Sequence, residues 1–290
     1  GLLRLGRIIQ IIPYPVIVGF TSGIGTVIAV LQLKDLLGLD LESNSLHFFE
    51  KFYAIIQASP SFQWQELLIG SLTFLVLLFW KRLHTRIPSY FVALMVGSVL
   101  AAILNSIESL PTIDTIASRF SYEINGVTGQ GIPTALPQFV LPWELAGGDG
   151  EPIGLSWNTL TTLLGAAFSI ALLGALESLL CAVVADGMTG FRHDPDGELI
   201  GQGIGNVIVA FMGGVPATAA IARTATNIRS GGSTPVSAMM HSIVILLTIL
   251  FFARWLGFIP MASMAAILLM VAWNMSEAHH AWRILTKAPT

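Results

Sequence analysis

Apolar residues in this chain gather in long runs closed by charge, proline or glycine, instead of alternating with polar ones. An α-helix needs about 20 apolar residues to cross a bilayer, and seven segments approach that pattern. The first runs roughly over 13–33 and stops at Lys34-Asp35. The second covers 67–80 and stops at Lys81-Arg82, and the third covers 90–104. The fourth, 160–185, carries Glu177 in its interior. The fifth, 199–212, is short and Gly-rich. The sixth covers 246–258, with its start set near Pro235, and the seventh covers 261–275.

Three stretches break the pattern. Residues 213–232 are too short and polar to span alone: Gly213-Gly214-Val215-Pro216 leads into a helical middle and Gly231-Gly232 closes it. That is the pattern of a half-helix over about 217–230, with Thr218 as its N-cap. Residues 35–66 are polar and mixed. Residues 105–158 hold Pro111, Pro133, Pro137, Pro142 and Pro152 plus Gly147-Gly148-Asp149-Gly150, and predict an ordered excursion outside the bilayer, partly strand.

Composition sharpens this into a class. Of 290 residues 54% are hydrophobic and 11% charged, against about 25% charged in a soluble domain, and mean hydropathy is +0.75. So few charges cannot coat a water-facing surface, which excludes a conventional cytosolic enzyme and a disordered chain. Net charge −3 leaves no basic surface for nucleic acid. The single cysteine, Cys181, excludes an internal disulfide and a Cys-rich metal site. No signal peptide precedes the first apolar segment. With Gly1 in place of Met and an end at Thr290 just after a helix, the chain reads as a piece of a longer protein. With the N-terminus in the cytoplasm, Arg4, Arg7, Lys81, Arg82, Arg86, Arg192, Arg283 and Lys287 fall inside; Lys34, Lys51, Arg119 and Arg254 fall outside. This satisfies the positive-inside bias. Gly19, Gly23, Gly25, Gly165, Gly174, Gly201, Gly203 and Gly205 are read as sites of close helix packing.

Candidate chemistry centres on two features. Glu177 lies midway along a spanning segment, where an ionisable group costs about 2.5–3.5 kcal/mol on insertion scales and marks a functional site by default. The bland alternative is a carboxyl hydrogen-bonded to a neighbouring helix. Ser178 and Cys181 lie one residue and one turn away. The second feature is the half-helix. Its N-terminus presents unpaired N–H groups and partial positive charge, an anion site when aimed into a membrane cavity, and transporters build midplane sites from such broken helices. Arg223, about one turn in, is placed to pair with an anion or with Glu177; the alternative is an arginine snorkelling to the interface. The acidic loop 186–198 lacks the ligand order of a calcium loop. Gly201-x-Gly203-x-Gly205 follows no strand and is no dinucleotide fingerprint. His279-His280 do not share a helix face, and no Ser/His/Asp nucleophile set assembles. Neither metal, cofactor nor enzymatic activity is therefore expected.

Four stretches together resemble the SulP anion permease family. They are Ile12-Pro13-Tyr14-Pro15-Val16-Ile17-Val18-Gly19-Phe20-Thr21-Ser22-Gly23-Ile24-Gly25, the run Gly174-Ala175-Leu176-Glu177-Ser178-Leu179-Leu180-Cys181-Ala182-Val183-Val184-Ala185-Asp186, the run Glu198-Leu199-Ile200-Gly201-Gln202-Gly203-Ile204-Gly205-Asn206, and the half-helix. Within that family, Val271-Ala272-Trp273-Asn274-Met275-Ser276-Glu277-Ala278-His279 and Gln130-Gly131-Ile132-Pro133 look closest to bacterial C4-dicarboxylate uptake. The resemblance implies an all-α polytopic membrane protein, part of a transporter of two inverted seven-segment repeats with core and gate domains and a following STAS domain. This chain would be segments five to twelve. On that mapping 1–110 are gate helices, 111–156 an extracytoplasmic loop, 157–258 core helices with the half-helix, and 259–290 a gate helix.

The same resemblance maps substrate binding to Thr218, Ala219, Ala220, Ile221, Ala222 and Arg223, and a coupling ion, proton or sodium, to Glu177 and Ser178. It implies secondary transport of small anions across a bacterial inner membrane by a homodimer in the lipid bilayer. C4-dicarboxylates such as succinate or fumarate are the expected substrates, and sulfate or bicarbonate the alternative. A non-transporting scaffold or sensor on the same fold is the alternative from another class.

Overall fold

The structure, a computed structural model, describes residues 14–41, 48–83, 87–107, 109–124, 127–147 and 150–276, with Gly1, Leu2, Arg4 and Gly6. Arg7, Ile12-Pro13, Arg86 and the stretch holding His279-His280, Arg283 and Lys287 lie outside the described residues. Ten α-helices are described: α1 (Tyr14–Leu37), α2 (Phe48–Gln57), α3 (Trp64–Trp80), α4 (Ser89–Asn105), α5 (Ile116–Arg119), α6 (Trp157–Thr189), α7 (Pro195–Phe211), α8 (Ile221–Arg229), α9 (Pro235–Leu256) and α10 (Met261–Met275). Strands β1 (Ser121–Ile124) and β2 (Val127–Gln130) pair antiparallel, with Ser121 opposite Gln130 and Ile124 opposite Val127. Each of the seven predicted apolar segments lies within a helix, to within two residues, over its described part. α6, 33 residues long, reaches about 50 Å at 1.5 Å per residue. α6 and α9 are each long and apolar enough to cross a membrane, at mean hydropathies of 2.2 and 2.3. The polar stretch before α3 contains an unpredicted amphipathic helix, α2, with Ile55 buried and Phe49 and Tyr53 exposed.

Contacts divide the chain into two units, the first comprising Gly1–Ile12 and Ala135–Val244, the second Pro13–Thr134 and Ile245–Thr290. In the second unit α1 packs along α10, and α3 packs against both α4 and α10. The core is built from small and branched residues: Ile69, Ala101, Ile113 and Ala262 form one cluster, and Leu77, Ala93 and Met270 another. At its centre the hydroxyls of Thr73 and Ser263, both fully buried, hydrogen-bond to each other at 2.8 Å. Gly97 of α4 makes room for that bond, since a Cβ there would stand 2.1 Å from Ser263 Oγ and 2.8 Å from Thr73 Oγ1. Gly97→Val should therefore overpack the helix interface by about 1–3 kcal/mol, read as a lowered Tm of the detergent-solubilised protein; an unchanged Tm would refute this packing.

The glycines named for close packing divide differently from expectation. Gly25 of α1 approaches α10, where a Cβ would lie 2.8 Å from the Ala272 carbonyl, and Ser22 donates to the Ser276 carbonyl across the same seam. Gly174 meets the Thr218 methyl. Gly19, Gly23, Gly165, Gly201, Gly203 and Gly205 meet nothing within 4 Å among the described residues.

In the first unit α6 packs against α7 and α8. Ser156 Oγ caps α6 by accepting from Thr159 N at 3.0 Å, and Gly190 ends it in the left-handed conformation, φ 77°. Asp194 caps α7, with Pro195 in its first turn. Between these helices Asp186 accepts from the His193 backbone N–H and lies 2.7 Å from His193 Nδ1. Asp186 follows the apolar run of α6. Burial pulls its pKa upward, but the hydrogen bonds from the His193 ring and backbone outweigh this and hold it below the usual aspartate value. A depressed folded pKa contributes stability above the unfolded value, and that stability is lost as pH falls through the folded one. The Tm difference between wild type and Asp186→Asn should thus be full at neutral pH and shrink once pH drops below about 4; a pH-independent difference would contradict the pairing.

Candidate functional site

The site assembles in the first unit from one face of α6, one face of α7 and the segment leading into α8. Residues three and four apart on a helix share a face, so Gly174, Glu177, Ser178 and Cys181 line one side of α6. Opposite them residues 214–220 are not helical. Thr218 Oγ1 donates to Glu177 Oε2 at 2.8 Å, and the Ala219 N–H donates to Ser178 Oγ at 3.2 Å. Gly174 lets the Thr218 side chain sit this close to α6. One turn on, Cys181 Sγ–H donates to Thr224 Oγ1 at 3.1 Å and ties α8 itself to α6.

The other side is held from α7. Asn206 meets both backbone groups of Ala217, accepting from its N–H at 2.8 Å and donating to its C=O at 3.0 Å; Gln202 donates to the same carbonyl. Sequence reasoning quoted Gln202 and Asn206 only within the resemblance and assigned them no role. The available signal was two amide side chains four residues apart in the otherwise apolar stretch of α7 that follows Glu198. An extended backbone carries unpaired N–H and C=O groups that must be satisfied inside a membrane, and these side chains satisfy them.

The segment delivers the chain to an α8 N-terminus that no side chain caps among the described residues. The N-cap is Ala220, φ −104° and ψ 108°, and the helix starts at Ile221. This corrects the assignment of Thr218 as N-cap: its hydroxyl is engaged by Glu177, two residues too early to reach the first helical turn. The first N–H groups of a helix have no partner within it, so the α8 N-terminus carries free donors and partial positive charge. Arg223, third residue of α8, is exposed and makes no ion pair or hydrogen bond among the described residues, so of its two expected partners, an anion or Glu177, the second is not engaged. Of Ala222 only the helical backbone is described. A cavity of about 640 Å³ runs beside this arrangement, lined by Ala167, Gly174, Gln202, Asn206, Ala217 and Thr218 among others. It is apolar along α6 and polar where α7 meets the extended segment. The cavity is thus bordered by the α6 face at Gly174, by Gln202 and Asn206 of α7 and by the extended segment at Pro216, Ala217 and Thr218, and Thr218 joins that segment to the half-buried Glu177.

These features define a polytopic helical membrane transporter fold. A sequence profile of the sulfate permease family matches residues 1–289, and the chain belongs to that family. It is 39% identical over 277 residues to YvdB of Bacillus subtilis, whose name carries a provisional assignment as a sulfate transporter, covering 96% of this chain and 48% of that protein. It is 31% identical to the bicarbonate transporter BicA of Synechocystis sp., covering 97% of this chain and 46% of that one. The solved transmembrane domain of a cyanobacterial bicarbonate transporter BicA superposes with a TM-score of 0.77 at 28% identity, over 100% of this chain and 66% of that domain. The chain thus spans about half the length of these two curated relatives.

Proposed function

We propose that the intact protein is a secondary active transporter of small anions in a bacterial inner membrane, working as a homodimer, and that this chain supplies segments five to twelve of its membrane domain. On this reading the first unit carries core-domain elements and the second carries gate helices. The anion sits at the uncapped N-terminus of α8, met by the N–H groups that follow Ala220 and by Arg223, with Thr218 and Ala219 setting the approach. Glu177 and Ser178 hold the segment and form the coupling-ion position, for which a proton is the assigned ion and sodium the competing one. The observation that carries the proposal is the extended segment at Ala217–Ala219, pinned by Glu177, Ser178 and Asn206 and ending at a helix N-terminus without a side-chain cap.

The substrate class is an inorganic oxyanion, sulfate or bicarbonate, because the relatives reported above are named for these two anions. The C4-dicarboxylate expectation rested on the 130–133 and 271–279 stretches alone, and nothing in the site distinguishes a dicarboxylate. The test is uptake of radiolabelled sulfate, bicarbonate and succinate by the intact protein in liposomes, with and without proton and sodium gradients. Concentrative sulfate or bicarbonate uptake supports the proposal. Uptake of succinate alone overturns the substrate class, and uptake of none overturns transport.

A further inference from the structure

The second unit contains a buried carboxyl far in sequence from Glu177 and unused by the site above. Glu66 is 2% exposed in the first turn of α3, one residue ahead of the apolar run that opens at Leu67. Its Oε1 accepts from the Asp114 N–H at 2.9 Å, while its Oε2 is buried with no partner among the described residues. Gln63 Oε1, one turn earlier, is a second buried acceptor without a donor. Gly38, just past α1 at φ 60°, closes the space, for a Cβ there would stand 2.8 Å from Glu66 Cγ.

The charges around Glu66 are unequal. From α1 comes Asp35, with Lys34 beside it acting on Asp35; from the segment before β1 come Asp114 and Arg119; the start of α10, Met261 to Ala266, brings no ionisable side chain. Arg119 is already shared, 3.1 Å from Asp35 and 2.7 Å from Asp114. An ionised Glu66 would make three carboxylates around one guanidinium, with a buried oxygen that no described residue hydrogen-bonds. A buried carboxylate oxygen lacking a donor is costly, and protonation is the ordinary relief.

We infer that Glu66 is a second proton-binding site of this protein, separate from Glu177, holding its proton at Oε2 at the end of α3 where α1, α3 and the Asp114–Arg119 segment meet. One proton removes the buried charge, turns an orphan acceptor into a donor and leaves Arg119 to Asp35 and Asp114. Burial pushes the Glu66 pKa up, to about 7; the Asp114 amide opposes the rise, the carboxylates of Asp114 and Asp35 add to it, and Arg119 works against it. The site therefore changes charge as pH crosses neutrality. Through the Asp114 carbonyl, which accepts from Met261 N at 2.9 Å, that charge lies next to the start of α10.

The test is infrared pH titration of the protonated-carboxyl band of the intact protein in nanodiscs, over about pH 5 to 9. Wild type should show a buried carboxyl titrating near neutrality, and Glu66→Gln, which preserves the acceptor for Asp114 N–H, should lack it. Asp35→Asn removes one facing negative charge and should shift the midpoint down, while Arg119→Gln removes the facing cation and should shift it up. If Glu66→Gln does not accumulate, these two opposite shifts decide. A neutral-range band that survives Glu66→Gln, or a midpoint that neither Asp35→Asn nor Arg119→Gln moves, overturns the inference.

Discussion

Asn206→Leu should weaken anion affinity by about 10- to 100-fold, more than any other single change in α7, and leave the protein folded. Asn206 accepts from the Ala217 N–H and is one of two donors to its C=O, and leucine removes both bonds together. Losing a hydrogen bond costs about 0.5–1.5 kcal/mol, so the two together are worth roughly a factor of 5 to 150 in an equilibrium. The segment then has reason to leave its place, and with it the position of Ala220 and the α8 N-terminus. Gln202→Leu makes a graded control: it removes one of two donors to the same carbonyl and keeps the N–H partner, so its effect should be several-fold smaller. KM for sulfate or bicarbonate uptake in liposomes is the measurement. Equal KM values for wild type and Asn206→Leu would mean that the Ala217 clasp does not hold the binding geometry.

That clasp also shows how far the amino-acid pattern carries. The spanning helices were legible because a bilayer demands long apolar runs, and the runs at 90–104 and 261–275 match α4 and α10 almost residue for residue. Glu177 was legible because a carboxyl inside such a run needs a reason. The half-helix was legible as an interruption, but its start was not: Thr218 has the chemistry of a cap, and only the tertiary neighbour Glu177 decides that its hydroxyl points elsewhere. Arg223 makes no pair with Glu177 among the described residues: it lies exposed on α8, and the contact to that carboxyl comes from Thr218 in the extended segment. Most of the singled-out glycines meet no neighbour, because small size permits close packing without requiring it. α2 was hidden because it is short and amphipathic: Glu50 and Lys51 interrupt its apolar residues, so it stood out from the polar stretch around it too little to read as a helix. Glu66 stands at the boundary of an apolar run, where a carboxyl reads as an ordinary helix start, and only the fold shows it buried.

Glu177→Gln should fold and still bind the anion, yet lose the stimulation of uptake by an inward proton gradient. The amide keeps an oxygen to accept from Thr218 Oγ1, so the hydrogen bond that joins α6 to the extended segment survives. What it loses is the ability to change charge. An anion arriving at the α8 N-terminus brings negative charge toward a carboxylate whose hydroxyl partner, Thr218, stands two residues from the Ala220 cap. On the proposed coupling role, proton uptake by Glu177 would remove that repulsion and let carboxyl and substrate be neutralised together before the site moves across the membrane. A permanently neutral glutamine binds anion without needing the proton and gives nothing for the gradient to act on. Thr218→Val separates the two roles: it removes the donor, leaves the carboxyl titratable and should weaken binding while proton stimulation persists. Uptake driven by imposed pH gradients, compared across wild type and both variants, reads the difference. If Glu177→Gln responds to the gradient as wild type does, Glu177 is a structural acceptor for Thr218 and the coupling proton is carried elsewhere, with Glu66 the next group to replace.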